Sequence, residues 1–135
     1  MTWNDWDKAL LALTLWREAR GEGKEGMQAV GCVIRNRANA NGSWRKTMAA
    51  KWQFSSLTAP GDSMLISWPT NEKTFEDAME IAEGIYNNSL PDITLGSTHY
   101  RNPVTATSKS FQKAVDSGQL IKTVTIGHHE FYKGK

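Results

Sequence analysis

The sequence has very little cysteine, and this scarcity excludes an internal disulfide. The single cysteine, Cys32, lies among Val30, Val33 and Ile34. Such surroundings are typical of a buried, chemically inert thiol. An amidase or endopeptidase mechanism that needs a reactive cysteine is therefore not favoured.

Long apolar runs are also missing, so no segment is long enough to span a bilayer. The first residues, MTWNDWDK, lack the basic leader, apolar run and small-residue cleavage site of a secretory signal. We therefore expect synthesis in the cytoplasm without a signal peptide, and no stable insertion into a membrane.

No strong excess of charge of one sign is present. The chain has 16 basic and 14 acidic residues, for a formal net charge of +2. Nucleic-acid-binding domains usually concentrate more positive charge on one face, and here basic residues of the first two predicted helices alternate with Glu18, Glu22 and Glu25. We expect no nucleic-acid partner, whereas an anionic polymer such as a bacterial cell wall is compatible with this charge.

What the sequence does contain is the pattern of one mainly helical α+β domain over residues 1–135. Apolar spacing predicts a helix capped by Asn4 or Asp5 and closed by Gly21, and further helices over 24–41, 47–51, 75–86 and 108–117. Met79, Ala82 and Tyr86 are predicted to face inward. Alternating β-branched residues over 95–100 and 120–127 predict a small antiparallel sheet near the C-terminus.

Six tryptophans are present, and exposed indoles can stack on the faces of sugars. Trp6 and Trp16 belong to the apolar pattern of the first helix and are predicted to lie in the core. Trp44, Trp52 and Trp68 remain as predicted sugar platforms.

Glu18 is the residue whose pattern indicates chemistry. Helical spacing places it one turn above Thr14 and beside Leu15, on a helix that is otherwise nearly all apolar. Partial burial and the negative end of the helix dipole both favour the protonated carboxyl, which suits a general acid. Arg17 or Arg20 would oppose this if either guanidinium reaches Glu18. A solvated or ion-paired glutamate with no catalytic role is the simpler interpretation and stays open.

The three histidines do not form a metal-binding pattern. His99, His128 and His129 lack a ligand spacing with a carboxylate or cysteine, so neither a metal nor another cofactor is expected. Adjacent strand residues point to opposite faces, so at most one of His128 and His129 is predicted to face a binding cleft.

Several segments together resemble a known family, the SleB-like cell wall hydrolases, which include the spore-cortex-lytic enzymes. The resemblance extends over nearly the whole chain and rests on 18–22 (EARGE), 25–26, 29–31, 33–37 (VIRNR), 53–55 (QFS), 99–103 (HYRNP) and 126–132 (IGHHEFY). It implies a lysozyme-like α+β fold related to lytic transglycosylases, peptidoglycan as the substrate, and Glu18 as the catalytic acid.

The later matched segments supply the predicted substrate-binding residues. Gln53 and Ser55 are placed to hydrogen-bond sugar groups, and Phe54 lines the cleft or, as its residue type favours, anchors the loop in the core. Tyr100 and Asn102 precede Pro103 at a sheet edge, where polar groups can meet a glycan, although a purely structural turn is an alternative for Asn102. His129 is the last of the predicted substrate-binding residues.

Two reaction types remain open for the bond between N-acetylmuramic acid and N-acetylglucosamine. A lytic transglycosylase needs Glu18 alone and yields a 1,6-anhydromuramyl product, whereas a muramidase needs a second carboxylate, for which Glu22, Glu25 and Asp62 are weak candidates. Glu22 and Glu25 are otherwise explained as acidic residues that favour the start of the second helix. The absence of a clear second acid favours the transglycosylase.

The sequence also departs from the family pattern. It lacks the secretion signal and the separate peptidoglycan-binding domain of many members, and its 56–68 loop differs. A small single-domain wall hydrolase of this kind resembles a phage endolysin, released through a holin-type lesion and acting as a monomer. A non-catalytic wall-binding virion module is the alternative from another functional class.

Overall fold

The computed structural model describes residues 3–53, 72–105 and 108–135. Within these ranges lie five α-helices, a short 3-10 helix Arg20–Glu22 and three strands. The α-helices are α1 Trp3–Ala19, α2 Gly23–Asn41, α3 Trp44–Gln53, α4 Glu72–Tyr86 and α5 Lys109–Asp116. The strands are β1 His99–Arg101, β2 Leu120–Ile126 and β3 His129–Gly134. The predicted mainly helical α+β class with a small antiparallel sheet is confirmed.

Helices α1, α2 and α4 form the larger part of the core. Leu11 and Leu15 of α1 are completely buried, as are Val30 of α2 and Ile85 of α4. The end of α2 follows the sequence prediction, because Gly42 adopts φ 74° and donates its backbone N–H to the carbonyl of Ala38. None of the helices in the described ranges is both long enough and apolar enough to cross a bilayer.

Two predictions of buried residues are wrong. Trp6 and Met79 are 47% and 48% exposed. In α1 the inward position next to Trp6 belongs to Asp7, whose carboxylate is buried against Arg45 at 3.3 Å. In α4 the inward stripe consists of Ala78, Ile81, Ala82 and Ile85, one position away from Met79. Trp16, in contrast, is 4% exposed, as predicted.

The sheet is antiparallel, with β3 between β1 and β2. Its two faces are covered by different helices. Phe131 packs with Ala29 and Val33 of α2, and Tyr132 packs edge-on against Phe111 of α5 at 5.2 Å between ring centroids. An irregularity between Lys122 and Val124 shifts the register of β2 against β3.

The loop between α4 and β1 is fastened to α2 by polar side chains. Arg35 donates to the carbonyls of Ile85 and Leu90, at 3.3 Å and 2.8 Å. Asn36 donates to Asp92 at 2.9 Å and to the carbonyl of Ser97 at 2.8 Å. These bonds fix the start of β1 relative to α2.

Candidate active site

Glu18 lies in the last turn of α1, at the point where the helix gives way to the 3-10 helix. Its side chain is half-buried, and its neighbours one turn before it, Thr14 and Leu15, are buried. The Thr14 hydroxyl donates to the carbonyl of Leu10 at 2.8 Å, within its own helix. The structure therefore gives Glu18 the partly desolvated helix-end position that the sequence predicts.

Helix α2 contributes a cation, Arg37, that interacts electrostatically with Glu18. Arg37 is half-buried and donates its Nε–H to the carbonyl of Thr98, just before β1. Burial lowers the pKa of the Arg37 guanidinium, and the negative charge of Glu18 opposes that effect. The two groups are thus electrostatically coupled. Arg20, by contrast, donates to the carbonyls of Trp16 and Arg17 at the end of α1.

Glu22 lies at the end of the 3-10 helix, and its side chain is only 12% exposed. One carboxylate oxygen, Oε2, accepts the backbone N–H of His128 at 3.0 Å, and the other, Oε1, lies 2.9 Å from His128 Nδ1. Burial raises the pKa of Glu22, but the hydrogen bonds and charge of His128 outweigh burial and hold that pKa below its usual range. Glu22 is therefore an ionised carboxylate bound to the β2–β3 turn.

Tyr100 and His129, both predicted to bind substrate, lie side by side on adjacent strands. Their rings pack edge-on with centroids 5.4 Å apart, and both contact Phe131. The His129 side chain is 13% exposed. Its Nδ1 is buried and has no hydrogen-bond partner among the described residues; Glu22 Oε1 is 4.0 Å away.

The other predicted binding residues are not brought into this group by the described part of the chain. Asn102 lies in the turn after β1, where its side-chain oxygen accepts the N–H of Val104 at 2.9 Å. Gln53 is the last residue of α3, and its side chain lies outside the described part. Phe54 and Ser55 lie outside the described residues altogether.

Of the three tryptophans predicted to stack on sugars, only Trp44 has its side chain in the described part of the chain. Trp44 contacts Tyr86, with ring centroids 5.0 Å apart, and packs against the helical core. The side chain of Trp52, all of Trp68 and the second-acid candidate Asp62 lie outside the described residues. The predicted sugar-stacking role of Trp52 and Trp68 therefore stays a prediction.

Among the described residues, no three histidine, cysteine, aspartate or glutamate side chains come close enough to hold a metal ion. Cys32 is fully buried, as predicted, and burial raises the pKa of its thiol. A protonated, inaccessible thiol is a poor nucleophile.

The sequence does not predict the contacts that three residues make in this site. The sequence explains Glu22 as a helix-start residue or a weak second-acid candidate, and Arg37 as one of several basic residues of the first two helices; of His128 and His129 it predicts that at most one faces the cleft. His128 is 77% exposed, but its backbone and ring bind Glu22 from a position 106 residues away in the chain. The sequence feature that could have indicated their role is that all three lie within the family-like segments 18–22, 33–37 and 126–132.

Comparison with known proteins identifies the family and the fold. A family model described as cell wall hydrolase matches residues 21–132, a segment that begins after Glu18 and includes Glu22, Arg37, Tyr100 and His129. No curated protein matches the chain. Among solved structures, the fold is similar to the catalytic domain of the germination-specific lytic transglycosylase SleB from Bacillus anthracis. That similarity has a TM-score of 0.66 at 23% identity, over 98% of this chain and 97% of the other.

Proposed function

This chain belongs to the cell wall hydrolase family, and on that premise we propose that it cleaves the glycan strands of peptidoglycan. The proposed bond is the β-1,4 link between N-acetylmuramic acid and N-acetylglucosamine. The observation that supports this most is the setting of Glu18, a half-buried carboxyl at the end of an apolar helix and within electrostatic reach of Arg37.

The proposed reaction is that of a lytic transglycosylase. Glu18 donates its proton to the leaving glycosidic oxygen as an oxocarbenium-like centre develops at C1 of the muramyl residue. The resulting Glu18 carboxylate then takes the proton of the muramyl C6 hydroxyl, whose oxygen bonds to C1. The product is a 1,6-anhydromuramyl end, and no water is consumed. The positive charge of Arg37 favours the carboxylate that exists between the two proton transfers.

The surroundings of Glu22 and Glu25, the two other candidate acids that the structure describes, support a mechanism with one carboxylate. Both oxygens of Glu22 accept hydrogen bonds from His128, which commits this carboxylate to the β2–β3 turn and makes it a weaker nucleophile. Glu25 is exposed in the first turn of α2. A hydrolytic muramidase would have to use Asp62 or a further acid, and its different product distinguishes it.

Tyr100 and His129 supply the proposed glycan contacts. Their rings pack edge-on and are both partly exposed, and an aromatic surface of this kind can contact the apolar face of a sugar. Gln53, Phe54, Ser55 and Asn102 stay predicted binding residues. The cell wall is the proposed place of action and a monomer the proposed state; release through a holin-type lesion stays a prediction by analogy with endolysins.

Replacement of Glu18 by Gln tests the assignment. Loss of the proton donor is expected to lower the rate of release of soluble fragments from purified peptidoglycan by about 10²–10⁴-fold. Glu25→Gln, a matched change at an exposed glutamate, is expected to keep the wild-type rate. Circular dichroism checks that both variants fold. Fragment release by Glu18→Gln at the wild-type rate would contradict the proposal.

A further inference from the structure

We infer that Glu22 is a positioning residue, whose carboxylate binds the β2–β3 turn to the 3-10 helix between α1 and α2 and thereby sets His129 against Tyr100. The inference rests on the proposed function, because it concerns how the same site is held together. It gives a role to an acid that the sequence explains as a helix-start residue or as a weak candidate for a second catalytic carboxylate.

The first support is the space made for this side chain by two glycines. A β-carbon at Gly127 would overlap Glu22 Oε2, and Gly127 adopts φ 60°, a conformation that side chains disfavour. A β-carbon at Gly26 would overlap the β-carbon of Glu22. The Glu22 side chain therefore fits only because glycine is present both in the next turn of its own helix and in the turn of the hairpin.

The second support is the pairing of the carboxylate with the turn. Its two oxygens lie 3.0 Å from the backbone nitrogen and 2.9 Å from the ring Nδ1 of His128. Since a carboxylate only accepts hydrogen bonds, His128 Nδ1 carries the hydrogen. Charge-assisted bonds of this type are stronger than neutral ones. The turn is thus held at two points by one side chain from the end of the 3-10 helix.

The third support is what the turn carries. His129 follows His128 directly and is the first residue of β3. Its ring is packed against Tyr100 and Phe131, and its Nδ1 lies 4.0 Å from Glu22 Oε1. Moving the turn would therefore move the His129 ring relative to Tyr100 and to the end of α1, which holds Glu18.

The test uses Glu22→Gln and Gly127→Ala in the full chain, with Glu25→Gln as the matched control. Glu22→Gln keeps the size of the side chain but removes its charge. Gly127→Ala keeps Glu22 but places a β-carbon in the space that its carboxylate occupies. Each variant is expected to lower kcat/KM on soluble glycan-strand fragments by about 10-fold, mainly through a higher KM, because it displaces a proposed glycan contact. The double variant should be no slower than the slower single variant, because both changes break the same contact.

A second readout does not depend on activity. The ring resonances of His129, followed by NMR, are expected to shift in both variants and to stay in place in Glu25→Gln. Unchanged His129 resonances in a folded Glu22→Gln protein would overturn the inference, even if the wild type proved inactive and the proposed function failed. Loss of turnover in Glu22→Gln as complete as in Glu18→Gln, with Gly127→Ala fully active, would also overturn it and make Glu22 a reacting group.

Discussion

At the scale of single residues, two glutamates four positions apart have different surroundings, and the surroundings separate their roles. Glu18 is half-buried on an apolar helix face near the guanidinium of Arg37. Glu22 is enclosed by glycines and bound by His128. A carboxyl that must give up and regain a proton needs the first setting, whereas a carboxylate that holds a turn needs the second.

The state of Glu22 predicts a pH dependence of stability. Because its pKa is lower in the folded protein than in the unfolded chain, the ionised carboxylate stabilises the fold above the usual glutamate range. This stabilisation is lost as the pH falls through the folded pKa. The melting temperature of Glu22→Gln is therefore expected to lie below that of the wild type at pH 7, and the difference should shrink as the pH is lowered to 3.

Thermal unfolding followed by circular dichroism at both pH values measures this difference. Asp92 and Glu130 also have lowered pKa values, but both proteins retain them, so their effects cancel in the comparison. A difference between wild type and Glu22→Gln that is as large at pH 3 as at pH 7 would show that the charge of Glu22 is not what matters.

The sequence predicts the helix-end setting of Glu18 and places Tyr100 and His129 in the site, because these follow from helical spacing and from the family-like segments. It does not predict the partner of Glu22. That contact joins residues 106 positions apart and depends on the conformation of Gly127, neither of which has a local signal.

At the scale of elements, helices were easier to predict than strands. A helix such as α2 repeats its apolar residues every three or four positions over many turns. Strand β3 has no such regularity, because adjacent Phe131 and Tyr132 are both buried. One packs toward α2 and the other toward α5, so the usual alternation of buried and exposed residues is absent.

The packing of α2 on α4 depends on Gly31. A β-carbon at this position would lie 2.8 Å from Cγ1 of Ile85, which is fully buried. Gly31→Val is therefore expected to lower the free energy of unfolding by about 1–3 kcal/mol. Urea denaturation measures the change. In an Ile85→Ala background the cost of the same substitution should fall, and an equal cost in both backgrounds would mean that the helices are not in contact here.

At the scale of the whole molecule, the site lies where the helical part meets the sheet. Ile93 and Tyr100 pack against both buried clusters, the one between the helices and the one under the sheet. Arg37 joins α2 to the start of β1, and Glu22 joins the 3-10 helix between α1 and α2 to the hairpin turn. The relative placement of Glu18, Tyr100 and His129 is therefore determined by contacts between distant segments.

The most direct test of the account is mass spectrometry of the fragments released from purified peptidoglycan by the wild-type protein and by Glu18→Gln. The account predicts fragments ending in 1,6-anhydromuramic acid from the wild type and none from the variant. Fragments with reducing muramic acid ends would contradict the transglycosylase reaction, and equal release by both proteins would contradict the role of Glu18.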